Sequence, residues 1–194
     1  MRNGNWGTAL RVLVVVAALS CSSALLAKTW IWDGFNTSEK LSGKAFTTLK
    51  LTKDPTGQVA GNKVLWTPKM EKGAKPSADS AIYNINIPAD GDYYLWARVR
   101  WASGCGNTFY ITAPGTAQAI LGGDGTYDAL HWVNWIDAGK PKKLSLHKGV
   151  NTITLGARES GTMVNQFLLT DDAKYRPAAA YFATPGFVKP ASGK

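Results

Sequence analysis

The chain has 194 residues, 45% of them hydrophobic and 18% charged, with Gly 20, Pro 9 and Trp 8. That length suits one ordinary domain with appendages, and the apolar content excludes a disordered, collagen-like or low-complexity chain. Lys and Arg outnumber Asp and Glu by 22 to 13, a net charge of +9, and two Cys are too few for a disulfide scaffold.

Arg2 and Arg11 bracket a short polar start, and an apolar run from Val12 to Leu19 follows. Small residues from Ser20 to Ala24 and then Leu25-Leu26-Ala27 complete the pattern of a secretory signal peptide over residues 1–27. Cleavage is expected after Ala27, with Ala24 as the second option. The apolar run is short of the about 20 residues that a membrane-spanning helix needs, and no later segment is apolar enough to span. The mature chain is therefore expected to be secreted or periplasmic. Cys21, in Ala18-Leu19-Ser20-Cys21, offers a partial lipobox and hence a lipid-anchored alternative. Without the leader, Cys105 is the lone cysteine, in a Gly-Cys-Gly turn. The remaining chain carries 20 Lys and Arg against 13 Asp and Glu, net +7, most of it scattered lysine. Such a surface attracts acidic polymers or simply keeps edge strands solvated. An exported protein has little occasion to meet nucleic acid, so an acidic glycan is the preferred charged partner.

Past the leader no window places apolar residues at i, i+3, i+4 and i+7, whereas short alternating runs recur. Residues 44–51 carry Phe and Thr suited to a strand. In 81–87, Tyr83, Ile85 and Ile87 fall on one face and Asn84 and Asn86 on the other. In 92–101, Leu95, Ala97 and Val99 share one face, expected in the core. Trp96, Arg98 and Arg100 share the other, expected to meet solvent with arginine stems against the indole. Further strands are expected at 107–112, 117–121, 130–136, 142–147, 150–158 and 163–169. Ile153, Leu155 and Phe167 complete the expected core. Turn signals separate these runs: Pro88 to Gly91, Ala113-Pro114-Gly115, Gly122 to Gly125, Ala138 to Pro141 and Lys148-Gly149. Eight to ten short strands so spaced predict an all-β antiparallel sandwich over 28–177, with a surface loop at 67–80 and a tail at 178–194.

Catalytic patterns are thin. His131 and His147 have no Cys or His at metal-ligand spacing, and no nucleophile-elbow motif is present. Asp124, Asp128 and Asp137 lie near turns, where Asp is an ordinary residue. The expectation is a non-enzyme. What stands out is aromatic: Trp101, Tyr127, Trp132 and Trp135 lie near Gly-rich turns, with Asn107 and His131 close in sequence. Aromatic faces stack on the C–H faces of sugars, while amides and charged groups meet the hydroxyls. Trp132 and Trp135 differ by three, so in one strand they face opposite sides, and one of them belongs in the core.

Four segments in order resemble carbohydrate-binding modules of families six and thirty-five. Gly91, Tyr93, Trp96 and Arg98 fit Gly-x-Tyr-x-x-Trp-x-Arg, and Asn107-Thr-Phe-Tyr-Ile resembles the strand paired with it. Gly149 to Gly161 resembles Gly-x-His-x-Leu-x-Ile-x-x-Arg-Glu-Asp-Gly, and Val164 to Thr170 resembles Leu-Asp-x-Ile-x-Leu-Thr. The resemblance spans about residues 80–172 and implies a galactose-binding-like β-sandwich (jelly roll) that binds glycans in loops at one end. On that basis Trp101, Tyr127 and Trp132 are the expected stacking rings, and Asn107, Arg158 and Glu159 the expected hydrogen-bonding groups. The family often carries a structural calcium held by an early Glu-Ala-Glu and a late Asp. Here the early segment is Trp30-Ile31-Trp32-Asp33, the late position is Asn165, and Met163 stands where a sugar-binding Asn is common. The alternatives are a structural or adhesion protein that uses the sandwich for protein contact and, third, a small glycan-active enzyme.

Overall fold

The computed structural model describes residues 27–39, 41, 43–51, 63–68 and 79–178. The expected leader before residue 27, most of the 67–80 loop and the tail after residue 178 lie outside them. Among the described residues there are strands and no helix, so none is long and apolar enough to cross a membrane.

Thirteen strands follow one another: β1 (Thr29–Asp33), β2 (Thr47–Lys50), β3 (Lys63–Trp66), β4 (Ser80–Ile87), β5 (Gly91–Arg100), β6 (Thr108–Thr112), β7 (Ala119–Gly122), β8 (His131–Asn134), β9 (Ile136–Asp137), β10 (Lys140–Pro141), β11 (Lys143–Leu146), β12 (Gly149–Gly156) and β13 (Met163–Thr170). All pair antiparallel. One sheet runs β4-β12-β6-β7. The larger sheet has seven strands along β11-β5-β13-β3-β2, with β1 on β13 and β8 on β5. β9 and β10 form a separate hairpin whose two-residue turn puts Ala138 and Gly139 at φ 48° and 77°.

Alternation along each strand sends every second side chain into the space between the sheets. Leu95, Ala97 and Val99 of β5 and Phe167 of β13 meet Ile153 and Leu155 of β12, all fully buried as expected. Each large apolar side chain removed from water in this way contributes about 1.5–3 kcal/mol. The periodicity did not reveal β1 or β3. β1 reads as aromatic rather than alternating, yet Trp30 and Trp32 both enter the core, Trp32 stacked on Phe167 at 5.2 Å.

One expectation is corrected. The outer face of β5 does not meet solvent: Arg98 is 0% exposed and Trp96 7%, while Arg100 is partly open. β5 is an interior strand, so its outward side chains are flanked on both sides. The registers set Arg98 between Gln166 of β13 and Trp132 of β8, and Trp96 between Leu168 and Asn134. Arg98 Nη1 donates to Asn165 Oδ1 at 3.0 Å, which offsets the cost of burying a charge. Asn165 sits at a break in the β13–β5 register; its amide also donates to the Lys63 carbonyl at 2.9 Å, and its carbonyl accepts from Gly34 N–H at 2.8 Å. One residue thus ties β13 to β5, to β3 and to the end of β1.

Candidate functional site

Three connections converge at one end of the sandwich: β5–β6, β7–β8 and β12–β13. Their approach is so close that two positions admit only glycine. A Cβ on Gly106 would lie 2.2 Å from the Ser160 carbonyl oxygen. One on Gly122, at φ +114°, would lie 2.3 Å from the Asn107 carbonyl oxygen.

Arg158 and Glu159 build a clip between β12–β13 and the start of β6. Glu159 Oε2 accepts the backbone N–H groups of Asn107 and Thr108, each at 3.0 Å. Arg158 donates to Glu159 Oε1 and to the Thr108 hydroxyl, and its guanidinium lies over the Tyr110 ring at 5.8 Å. The Glu159 carbonyl accepts from Thr67 Oγ1 at 2.7 Å. Desolvation pushes the Glu159 carboxyl up, but the hydrogen bonds from Thr108 and Asn107 and the Arg158 charge outweigh it and hold the group below the usual carboxylate value. The Glu159 carboxylate and the Arg158 Nη1 group are thus engaged within the protein.

Trp101 is fully buried, so it offers no face to a ligand; it closes the end of the core. Its ring packs on Phe109 at 5.7 Å and on His131 at 6.1 Å, and its indole N–H donates to Asp124 Oδ1 at 2.8 Å. Its position follows from its parity with Val99 along β5. Tyr127, by contrast, is 42% exposed, and its hydroxyl stands above Gly104.

Trp132 lies elsewhere, in β8 opposite Arg98. It is half-buried on the outer face of the large sheet, while Trp135 takes the core position, 1% exposed. Trp132 lines a hollow of about 510 Å³ together with Trp96, Asn134, Asp124, Pro141 and Arg176. The volume falls in the range of small-ligand sites. Arg176 reaches over the Trp96 ring at 5.6 Å, a cation–π contact. The lining thus combines the half-buried Trp132, the buried Trp96 beneath Arg176, the Asn134 amide and two opposite charges, of which Asp124 already accepts the Trp101 and Thr126 N–H groups. Sequence reasoning missed Trp96, Asn134, Asp124 and Arg176 as a group, because only the β5–β8 register brings the first two together and only the chain's return past β13 brings Arg176.

The calcium that the resemblance implies can be tested on this geometry. The first and last strands do come together, with Asp33 opposite Gln166. Burial pushes the Asp33 carboxyl up, against a hydrogen bond from Gln166 that lowers it. Asn165 Oδ1 faces the Arg98 guanidinium, and among the described residues no three His, Cys, Asp or Glu gather. Calcium takes six to eight oxygens, several from carboxylates. One carboxyl and a resident cation do not fit it.

The fold has known counterparts. A Podospora anserina β-(1,4)-mannanase containing a family 35 carbohydrate-binding module matches with a TM-score of 0.53 at 17% identity, over 77% of this chain and 29% of that one. A family 35 carbohydrate-binding module from Clostridium thermocellum matches with a TM-score of 0.51 at 14% identity, over 73% and 97%. An Arthrobacter globiformis isomalto-dextranase complexed with panose matches with a TM-score of 0.53 at 16% identity, over 73% and 23%. This chain spans under a third of the two enzymes and nearly all of the free-standing module. No protein-family model matches the sequence, and no curated protein matches it either. The β-sandwich is that of carbohydrate-binding modules of the type the four sequence segments resemble.

Proposed function

We propose that this protein is an exported, non-catalytic carbohydrate-binding module that holds a polysaccharide in the hollow lined by Trp96 and Trp132, with the exposed Tyr127 ring on the β7–β8 connection as a further contact. The observation that carries this reading is the composition of that hollow: the half-buried Trp132 ring, the Asn134 amide and the Arg176 charge border one open volume of about 510 Å³. Ring faces suit the C–H faces of sugars, and the polar groups suit their hydroxyls. The sandwich shared with sugar-binding modules supports the same ligand class, and the apolar run from Val12 to Leu19 with the small residues up to Ala27 supports export. Arg176 and the basic surface favour acidic polymers, since a guanidinium pairs with a uronate carboxylate. Asn107, Arg158 and Glu159 serve the site by fixing the rim.

The test is native affinity electrophoresis of the purified protein in gels cast with neutral xylan, mannan or glucan, or with polygalacturonate. Retardation in at least one gel, strongest with an acidic polymer, is expected. Equal mobility in all of them would overturn the reading. Release of reducing ends during incubation would favour a glycan-active enzyme. A specific observation favours protein contact as the second reading: Ile120 and Ile136, each 48% exposed, border a neighbouring hollow of about 430 Å³. Concentration-dependent association, lost in Ile120→Ser, with no retardation in any gel would support it.

A further inference from the structure

β1 and β13 pair antiparallel from Thr29 opposite Thr170 to Asp33 opposite Gln166. One step beyond that ladder Lys28 faces Asp171. The Asp171 N–H donates to the Lys28 carbonyl at 3.3 Å, and Asp171 Oδ1 accepts the Lys28 N–H at 2.8 Å. The neighbouring Asp172 turns the other way, its Oδ1 accepting the Lys174 N–H at 2.8 Å. The Asp171 carboxylate thus stands on one particular nitrogen, and both residues are exposed. That nitrogen belongs to the Ala27–Lys28 peptide bond, at which the leader is expected to be cut. In the uncut chain it is a neutral amide with a single N–H. After cleavage it is an ammonium with three donors and a full charge. A charge-assisted hydrogen bond is roughly twice as strong as a neutral one.

We propose that Asp171 is the binding site for the chain's own mature amino terminus, an inference that rests on the export reading and not on the carbohydrate one. Hydrolysis of the Ala27–Lys28 bond places the water oxygen in the Ala27 carboxylate and both water protons on the Lys28 nitrogen; a peptidase of the export machinery is the catalyst. The ammonium forms where the carboxylate already stands, so the hydrogen bond becomes an ion pair without rearrangement of β1. The placement also separates the two expected cleavage points. A cut after Ala24 leaves the Lys28 nitrogen an amide and puts the new ammonium three residues away, about 10 Å of extended chain. The cut after Ala27 creates the charge at Asp171 itself. The consequence is structural. β1 carries Trp30 and Trp32 into the core, Trp30 against Tyr93 and Trp32 against Phe167, each at 5.2 Å, and the ion pair fastens the end of that strand where the leader had continued it.

The test starts from the full chain, expressed with its leader and recovered from outside the cytoplasm. Mass spectrometry of the N-terminal peptide should find Lys28 as the first residue. The exported protein is then labelled at neutral pH with a trace of acetic anhydride, and the rate at the Lys28 α-amine is read against that at the exposed Lys148 side chain. An ammonium held by a carboxylate gives up its proton less readily and is acylated more slowly. Asp171→Asn keeps an oxygen acceptor without the charge and should raise the relative rate about two- to fivefold, the range of an exposed ion pair. Asp172→Asn, the same loss of charge one residue on, should leave it unchanged. In wild type the relative rate should also be lower in the folded protein than in guanidinium chloride, a comparison that needs no variant. A mature chain that starts at Leu25 or at a lipidated Cys21 would overturn the Asp171 site while leaving export standing. So would a Lys28 terminus labelled equally fast in wild type and Asp171→Asn, or accelerated equally by both variants. An intact leader on protein confined to the cytoplasm would count against the export reading and remove the Asp171 site with it.

Discussion

The clip at Arg158–Glu159 and the hollow at Trp96–Trp132 lie near the same end of the sandwich and were equally plausible sugar contacts by residue type. They differ in what their polar and aromatic atoms face. Glu159 spends its carboxylate on two backbone N–H groups and on Arg158. Trp132 and Asn134 border open volume. The lesson is that residue chemistry names what a side chain can bind, while local packing decides whether that capacity is already used.

Several substitutions sharpen the contrast between the fixed clip and the open hollow. Leu155, fully buried in β12 just before the clip, sets the scale of a purely structural loss. Leu155→Ala should lower unfolding free energy by about 2–5 kcal/mol, read from denaturant midpoints. Glu159→Ala should cost about 1–3 kcal/mol, because the Asn107 and Thr108 N–H groups lose their acceptor. The folded fraction should keep most of its affinity for a retained polysaccharide.

The same carboxylate predicts a pH effect. Its folded-state pKa is held below its ordinary value, so its stabilisation is complete above the carboxylate range and is lost as pH falls through the depressed value. Acid denaturation of Glu159→Gln should accordingly be shallower than that of wild type. Equal acid slopes would remove the clip's electrostatic role.

Tyr127→Ala removes an exposed ring from the β7–β8 connection. It should reduce affinity by about 0.5–1.5 kcal/mol while changing stability by less than about 0.5 kcal/mol. A large stability loss would move Tyr127 to the structural side of the comparison. The smallest effect is expected at Ala138, held at φ 48° in the β9–β10 turn beside the hollow. Asn tolerates that conformation better, so Ala138→Asn should raise stability by about 0.5–1 kcal/mol, measured by thermal melting.

The sequence carried the sandwich because alternation in 81–87, 92–99 and 150–157 reports directly which side chains are inward. It missed β1, where Trp30-Ile31-Trp32 has no polar partner to mark a face, and β3, four residues long with the adjacent Val64 and Leu65 both buried, so that no alternation shows. It misread the outer face of β5, since burial of Arg98 depends on neighbouring strands rather than on the strand itself. For the candidate site, sequence proximity to Gly-rich turns singled out Tyr127, which is exposed, and Trp132, which borders the hollow. It could not tell that the Trp101 ring turns into the core. Nor could it join Asn134 to Trp96, 38 residues away, because that contact exists only through the β5–β8 register.

The most direct test of the central claim is a paired titration of the retained polysaccharide against Trp132→Ala and Glu159→Gln, each checked for native near-ultraviolet circular dichroism. The hollow account predicts that Trp132→Ala loses about 1–2 kcal/mol of binding, roughly tenfold in affinity, and that Glu159→Gln stays close to wild type. Full affinity in a folded Trp132→Ala protein, with a loss in Glu159→Gln, would place the ligand at the clip and contradict it.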